Sequence, residues 1–196
     1  ITTGDDNVIV AVIDTGVDIS HSDLSNSIFS NINEVTNGID DDGNGLVDDI
    51  SGWDFVNNDS SVYDGPTKDV HGTGVSGIIA AGLNDTGVVG TSPDVRILPV
   101  KFIDGNSGYT SDAIKAIEYA VDMGAGIINC SWGGSEFNPA LKDVISKSNA
   151  LFICAAGNAS TNNNQNPVYP ASFELDNIIS VAAVGSDGNL ATFSNY

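Results

Sequence analysis

Residues 71–77 read HGTGVSG, and the fold turns on what their glycines are for. The six residues after the histidine fit G-x-G-x-x-G. That pattern can mark a turn whose bare backbone closes on a pyrophosphate at a helix N-terminus. It can equally mark a helix start packed too closely for side chains, with His71 as the working group. A dinucleotide turn needs a hydrophobic strand running directly into its first glycine and an acid at the end of the next strand. Gly72 is preceded by DGPTKDVH, which is no strand, and the nearest acid after a following strand, Asp104, lies too far along. The nucleotide reading fails on this context. The glycines are expected to let a helix over 72–82 sit close against another element, with His71 at its start.

Outward from that helix the chain alternates. NVIVAVID (7–14) reads as a buried strand ending on Asp14-Thr15-Gly16, and VRILPVKFI (95–103) as a second. Between the first strand and the helix, residues 31–69 are polar and rich in Gly and Asp, and read as loops around a short WDFV segment. TSDAIKAIEYAVDMG predicts a helix capped by Thr110, with Ile114, Ile117 and Val121 on one face and Gly124 as its stop. IINCSW, a helix near 139–148, LFICAAGN and IISVAAVG complete the pattern. Apolar strands alternating with helices define an α/β fold: a doubly wound parallel sheet with helices on both faces, in one domain. Functional groups of such sheets gather at the carboxyl ends of the strands, where Asp14, Ser131 to Gly134 and Asn158 all fall.

Charge narrows the partners. The 196 residues hold 26 Asp plus Glu against 6 Lys plus Arg, a formal net charge of −20. Such a surface repels phosphate backbones, which excludes nucleic acid as an expected partner, and it favours cations or simply solubility. No apolar run approaches the ~18 residues of a membrane span. The two cysteines, Cys130 and Cys154, lie in apolar runs without zinc-ligand spacing. Buried thiols are expected, and a disulfide would require the two runs to be neighbours.

Four blocks in order, VIDTGVD with SHSDL (12–24), HGTGVSGIIAA (71–81), NCSWGG (129–134) and AAGN (155–158), resemble the subtilisin-like serine proteases, with near-family spacing over almost the whole chain. The resemblance implies peptide-bond hydrolysis by Asp-His-Ser acyl-enzyme chemistry on a peptide or protein substrate. Asp14 is then the triad carboxylate, His71 the general base and Asn158 the amide that donates to the oxyanion. Ser131, Trp132, Gly133 and Gly134 resemble the strand that lines the primary specificity pocket. Gly105 to Gly108 resembles the opposing segment, so that the two hold an extended peptide between them. An extracellular location follows from the same resemblance.

The family's nucleophile sits in a G-T-S-M-A block opening a helix, and these residues contain no such block. Gly90-Thr91-Ser92 is the nearest imitation, but Ser92 is followed by Pro93 and a strand. The expectation is a single peptidase domain over 1–196 that is incomplete, with the serine on a further C-terminal segment and a pro-segment as another candidate partner. The rival reading is a non-catalytic, calcium-dependent binding domain built on the same fold.

DDDGNGLVDD (40–49) places five carboxylates in ten residues, which repel unless a cation neutralises them. Numbered as an EF-hand-type loop, Asp40, Asp42, Asn44 and Asp48 fall at positions 1, 3, 5 and 9, and Leu46 offers its carbonyl at 7. Ser51 stands at position 12 where the bidentate Glu belongs, and Asp49 is the substitute. Without metal the same run is a solvated turn. The resemblance implies a second calcium loop from Asp23, Gly82, Asn84, Thr86 and Val88, with its N-terminal ligand upstream of Ile1.

Overall fold

The computed structural model describes residues 2–196. The first strand, β1 (Ile9–Asp14), lies in the middle of a six-stranded sheet and pairs in parallel with β3 (Arg96–Lys101) on one side and β6 (Ile127–Cys130) on the other. Beyond β3 the edge is β2 (Trp53–Asp54), the start of the short WDFV segment that the sequence set apart from its surrounding loops. Beyond β6 come β7 (Leu151–Ala155) and β8 (Ile178–Val181), giving the order β2-β3-β1-β6-β7-β8, every pair parallel. A two-stranded hairpin of β4 (Ile103–Asp104) and β5 (Ser107–Gly108) stands apart from the main sheet.

Residue alternation along β1 explains why helices cover both faces. Ala11 and Ile13 enter the larger core beneath α2 (Thr110–Asp122) and α3 (Pro139–Lys147), with Ala116, Ile117, Ala120, Leu141 and Ile145. Val10 and Val12 point the other way, to a smaller core with Ile97 and Ala80 of α1 (Val70–Ala80). Period-two strands that are apolar on both faces need this double cover. Asn138 starts α3 by accepting from the backbone N–H of Ala140 and Leu141, with Pro139 at the first helical position. Thr110 does not cap α2: it is the first helical residue, Tyr109 stands at the cap position, and no side chain bonds there.

Two expectations about α1 change in detail. The helix begins at Val70, two residues early, so His71 lies inside its first turn. Of its three glycines, only Gly72 makes the expected close approach: a Cβ there would stand 2.3 Å from the carbonyl oxygen of Gly16. Gly74 and Gly77 face open space. Cys130 and Cys154 are register partners on β6 and β7, both free and fully buried. Hydrogen bonding to Cys154, with burial, pushes the Cys130 thiol well above its ordinary range, so it stays protonated. Among the described residues no helix is long and apolar enough to cross a membrane.

Candidate active site

Parallel strands β1, β6 and β7 deliver their carboxyl ends to one side of the sheet, and each brings a functional segment. Asp14 is the last residue of β1 and fully buried. Its Oδ1 accepts from the backbone N–H of Thr15 at 2.7 Å and lies 2.7 Å from Nδ1 of His71, while its Oδ2 is buried with no hydrogen-bond partner. The His71 side chain is 54% exposed against 0% for Asp14. A buried carboxylate thus holds one ring nitrogen while the other side of the ring faces outward. A proton on Nδ1, donated to this carboxylate, leaves Nε2 as the acceptor.

Asn158 follows β7, with an exposed side chain that makes no hydrogen bond within the described residues. It lines a cavity of about 290 Å³ together with Ser131, Trp132, Gly133 and Gly134. The loop carrying it is clamped by a residue that the sequence did not single out. Asn195, fully buried, accepts from the backbone N–H of Ala159 and Thr161 and donates its own N–H to the Gly157 carbonyl. The Cβ position of Gly157 (φ +114°) falls 2.6 Å from the Asn195 amide, so a side chain cannot stand there.

Phe102, just ahead of the β4–β5 hairpin, makes an aromatic contact with the Ser131 to Gly134 segment. The rings of Phe102 and Trp132 pack edge-on with centroids 4.9 Å apart. Gly105, at φ +62°, opens the two-residue turn of the β4–β5 hairpin, and Gly108 passes within 2.5 Å (measured from its Cβ position) of the Phe102 carbonyl. Gly134 is already paired, exchanging two backbone hydrogen bonds with Tyr169 of 2.9 and 2.8 Å, so it lines the cavity rather than offering its backbone. Ser92 lies in the turn before β3, at the opposite end of the sheet from Asp14, where its N–H bonds the Ile79 carbonyl.

The acidic loop departs from its linear numbering. Glu34, Asp42 and Asp49 bring one carboxylate oxygen each within 4.8 Å of one another. Asp49 is fully buried and Glu34 nearly so. Asn44 donates to both Asp42 and Asp49, as does Asn31. Asp40 instead accepts from the N–H groups of Gly43, Asn44 and Gly45, and Asp48 from those of Asn37 and Gly38. Leu46 packs against the main core. Glu34 escaped the motif because it lies upstream of the ten-residue run. Three carboxylates this close, two of them buried, form an oxygen-donor set that fits a hard cation such as calcium.

In the other loop Asp23 receives hydrogen bonds from Asn84, Thr86 and the N–H of Val88, and its backbone carbonyl accepts from Gly82. The Val88 contact holds its carboxyl below the usual range. Asp5 and Asp6 line the same cavity as Asp23, Gly82 and Asn84.

Comparison with known proteins accounts for this arrangement. The subtilase family model matches residues 5–196, and the chain belongs to that family. It is 38% identical to a thermophilic serine proteinase of Bacillus sp. (strain AK1), covering all of this chain and 43% of that protein. With thermitase of Thermoactinomyces vulgaris the identity is 34%, over 95% of this chain and 58% of that one. With subtilisin-like protease 2 of Plasmodium falciparum it is 35%, over 98% and 14%. The solved structure of a lanthipeptide protease superposes with a TM-score of 0.74 at 26% identity, covering 99% of this chain and 54% of that one. The chain therefore spans between about a seventh and three fifths of the length of these relatives.

Proposed function

We propose that the chain is the acid–base and substrate-holding part of a secreted serine endopeptidase of the subtilisin type. The observation that carries this reading is the 2.7 Å contact between His71 Nδ1 and a fully buried Asp14 carboxylate, with the imidazole left accessible. His71 Nε2 takes the proton of a serine hydroxyl as it attacks the scissile carbonyl, and Asp14 stabilises the imidazolium that results. The Asn158 amide donates to the oxyanion of the tetrahedral intermediate. His71 then passes its proton to the leaving amine, and a water molecule repeats the sequence to release the acyl group. The peptide lies extended between the β4–β5 hairpin and Ser131 to Gly133, adding main-chain hydrogen bonds to each.

In this reading the serine comes from outside these 196 residues, which hold no G-T-S-M-A block, and Ser92, the nearest imitation, sits at the opposite end of the sheet from Asp14. Calcium bound by Glu34, Asp42 and Asp49, and by the Asp23 loop with Asp5 or Asp6, supplies fixed positive charge that ties these acidic loops to the folded state. The test is labelling of the product of the complete open reading frame with a fluorophosphonate, followed by mapping of the modified peptide. Modification of one serine outside residues 1–196 is expected, and its loss in His71→Ala. A label on Ser92 would overturn the assignment, and no label at all would favour a calcium-dependent binding domain.

A further inference from the structure

Among the described residues Lys101 is the largest fully buried side chain, and the chemistry above makes no use of it. It is the last residue of β3, directly beside Asp14 in the register. Its ammonium donates to the carbonyl oxygen of Thr15 at 2.5 Å and to Oδ1 of Asp69 at 2.5 Å, and Oδ2 of Asp64 lies 3.5 Å away. Asp69 is itself fully buried, and its Oδ2 accepts from the backbone N–H of Asp64 and Gly65.

A buried ion pair is a poor source of stability, because an apolar pair of the same volume commonly does as well or better. What this one achieves is placement. Thr15 follows Asp14 and Asp69 precedes His71 by two residues, so the ammonium joins the two segments whose side chains must meet. On the far side of His71 the N–H of Gly72 donates to the Thr15 hydroxyl at 3.1 Å. The Cβ positions of Gly16 and Gly72 are closed off by Asp69 at 2.8 Å and by the Gly16 carbonyl at 2.3 Å, so neither position takes a side chain while the segments stay this close. The peptide carrying His71 is thereby pinned before and after the histidine to the residue next to Asp14.

We propose that the Lys101–Asp69 pair is the positioning device that sets the register of His71 on Asp14. Its catalytic importance rests on the function proposed above, but the placement itself can be read without activity. The chain has two histidines. In the ¹⁵N-histidine-labelled chain, with His21→Gln used for assignment, the His71 Nδ1–H proton bonded to Asp14 should give a downfield, slowly exchanging resonance. Lys101→Met/Asp69→Asn removes both charges together and keeps a carbonyl acceptor at 69. It is expected to melt cooperatively while that proton exchanges at least tenfold faster or disappears. Asp69→Asn alone, a gentler change that serves if the double variant does not fold, is expected to give a smaller acceleration. An unchanged resonance in either folded variant would overturn the proposal, because a merely structural pair would alter the melting temperature only. In the complete gene product the double variant should lower kcat with little change in KM. If the unmodified product hydrolyses nothing while the resonance still responds, the protease reading fails and the positioning role stands.

Discussion

Asn158, Asp14 and His71 were recognisable as residue types at motif spacing, yet each works through neighbours that were not. Asn158 has a free amide on a loop gripped by Asn195, which lies 37 positions further on and carries no motif of its own. Lys101 and Asp69 were invisible for a physical reason: lysine and aspartate in a sequence read as solvated, and only their mutual burial shows otherwise. Asn158→Ala in the complete gene product should lower kcat by about 10²–10³-fold with KM little changed, a magnitude taken from the same donor in subtilisin itself. Steady-state kinetics on an internally quenched peptide would show it, and a change confined to KM would place Asn158 in ground-state binding instead. Asp23 supplies a pH prediction. The Val88 N–H holds its carboxyl below the unfolded value of about 3.9, so its contribution is complete above that pH and is lost as pH falls through the folded value. Melting temperature should therefore fall between pH 5 and pH 3, less steeply in Asp23→Asn, and equal slopes would remove Asp23 from the acid response.

At the scale of elements, the strands were legible because β1, β3, β6 and β7 are short apolar runs bounded by polar turns, and a parallel sheet buried on both faces needs such runs. Helix starts were less legible. The first turn of α1 is disguised by glycine, and Asp69 in front of it makes no side-chain cap because its carboxylate faces Lys101 and the preceding turn. The acidic loop could be placed but not resolved, since Glu34 joins Asp42 and Asp49 only after the chain has turned back on itself. The contact between α1 and the end of β1 is the tightest joint near the site, and Gly72→Ala is expected to force it open. With a Cβ 2.3 Å from the Gly16 carbonyl, the loss should be about 1–3 kcal/mol of stability. Denaturant titration would measure this, and an unchanged midpoint would mean that the two segments move apart freely.

For the whole molecule the dominant quantity is the net charge of −20, whose mutual repulsion is greatest where carboxylates crowd. Calcium that binds only the folded loops should raise stability by about 2.7 kcal/mol at a free concentration of a hundred times its dissociation constant. Melting in calcium against EGTA should show the shift, reduced in Glu34→Gln, and identical curves would exclude a bound cation at both loops. The parallel, doubly covered architecture followed from alternation alone. The most direct test of the account is the kcat/KM of the complete gene product on an internally quenched peptide, with and without His71→Ala. We predict a loss of about 10⁴-fold or more with the circular dichroism spectrum unchanged, because the proposed chemistry has no base besides the imidazole on Asp14. Hydrolysis that survives the substitution would contradict the assignment of Asp14 and His71 at its centre.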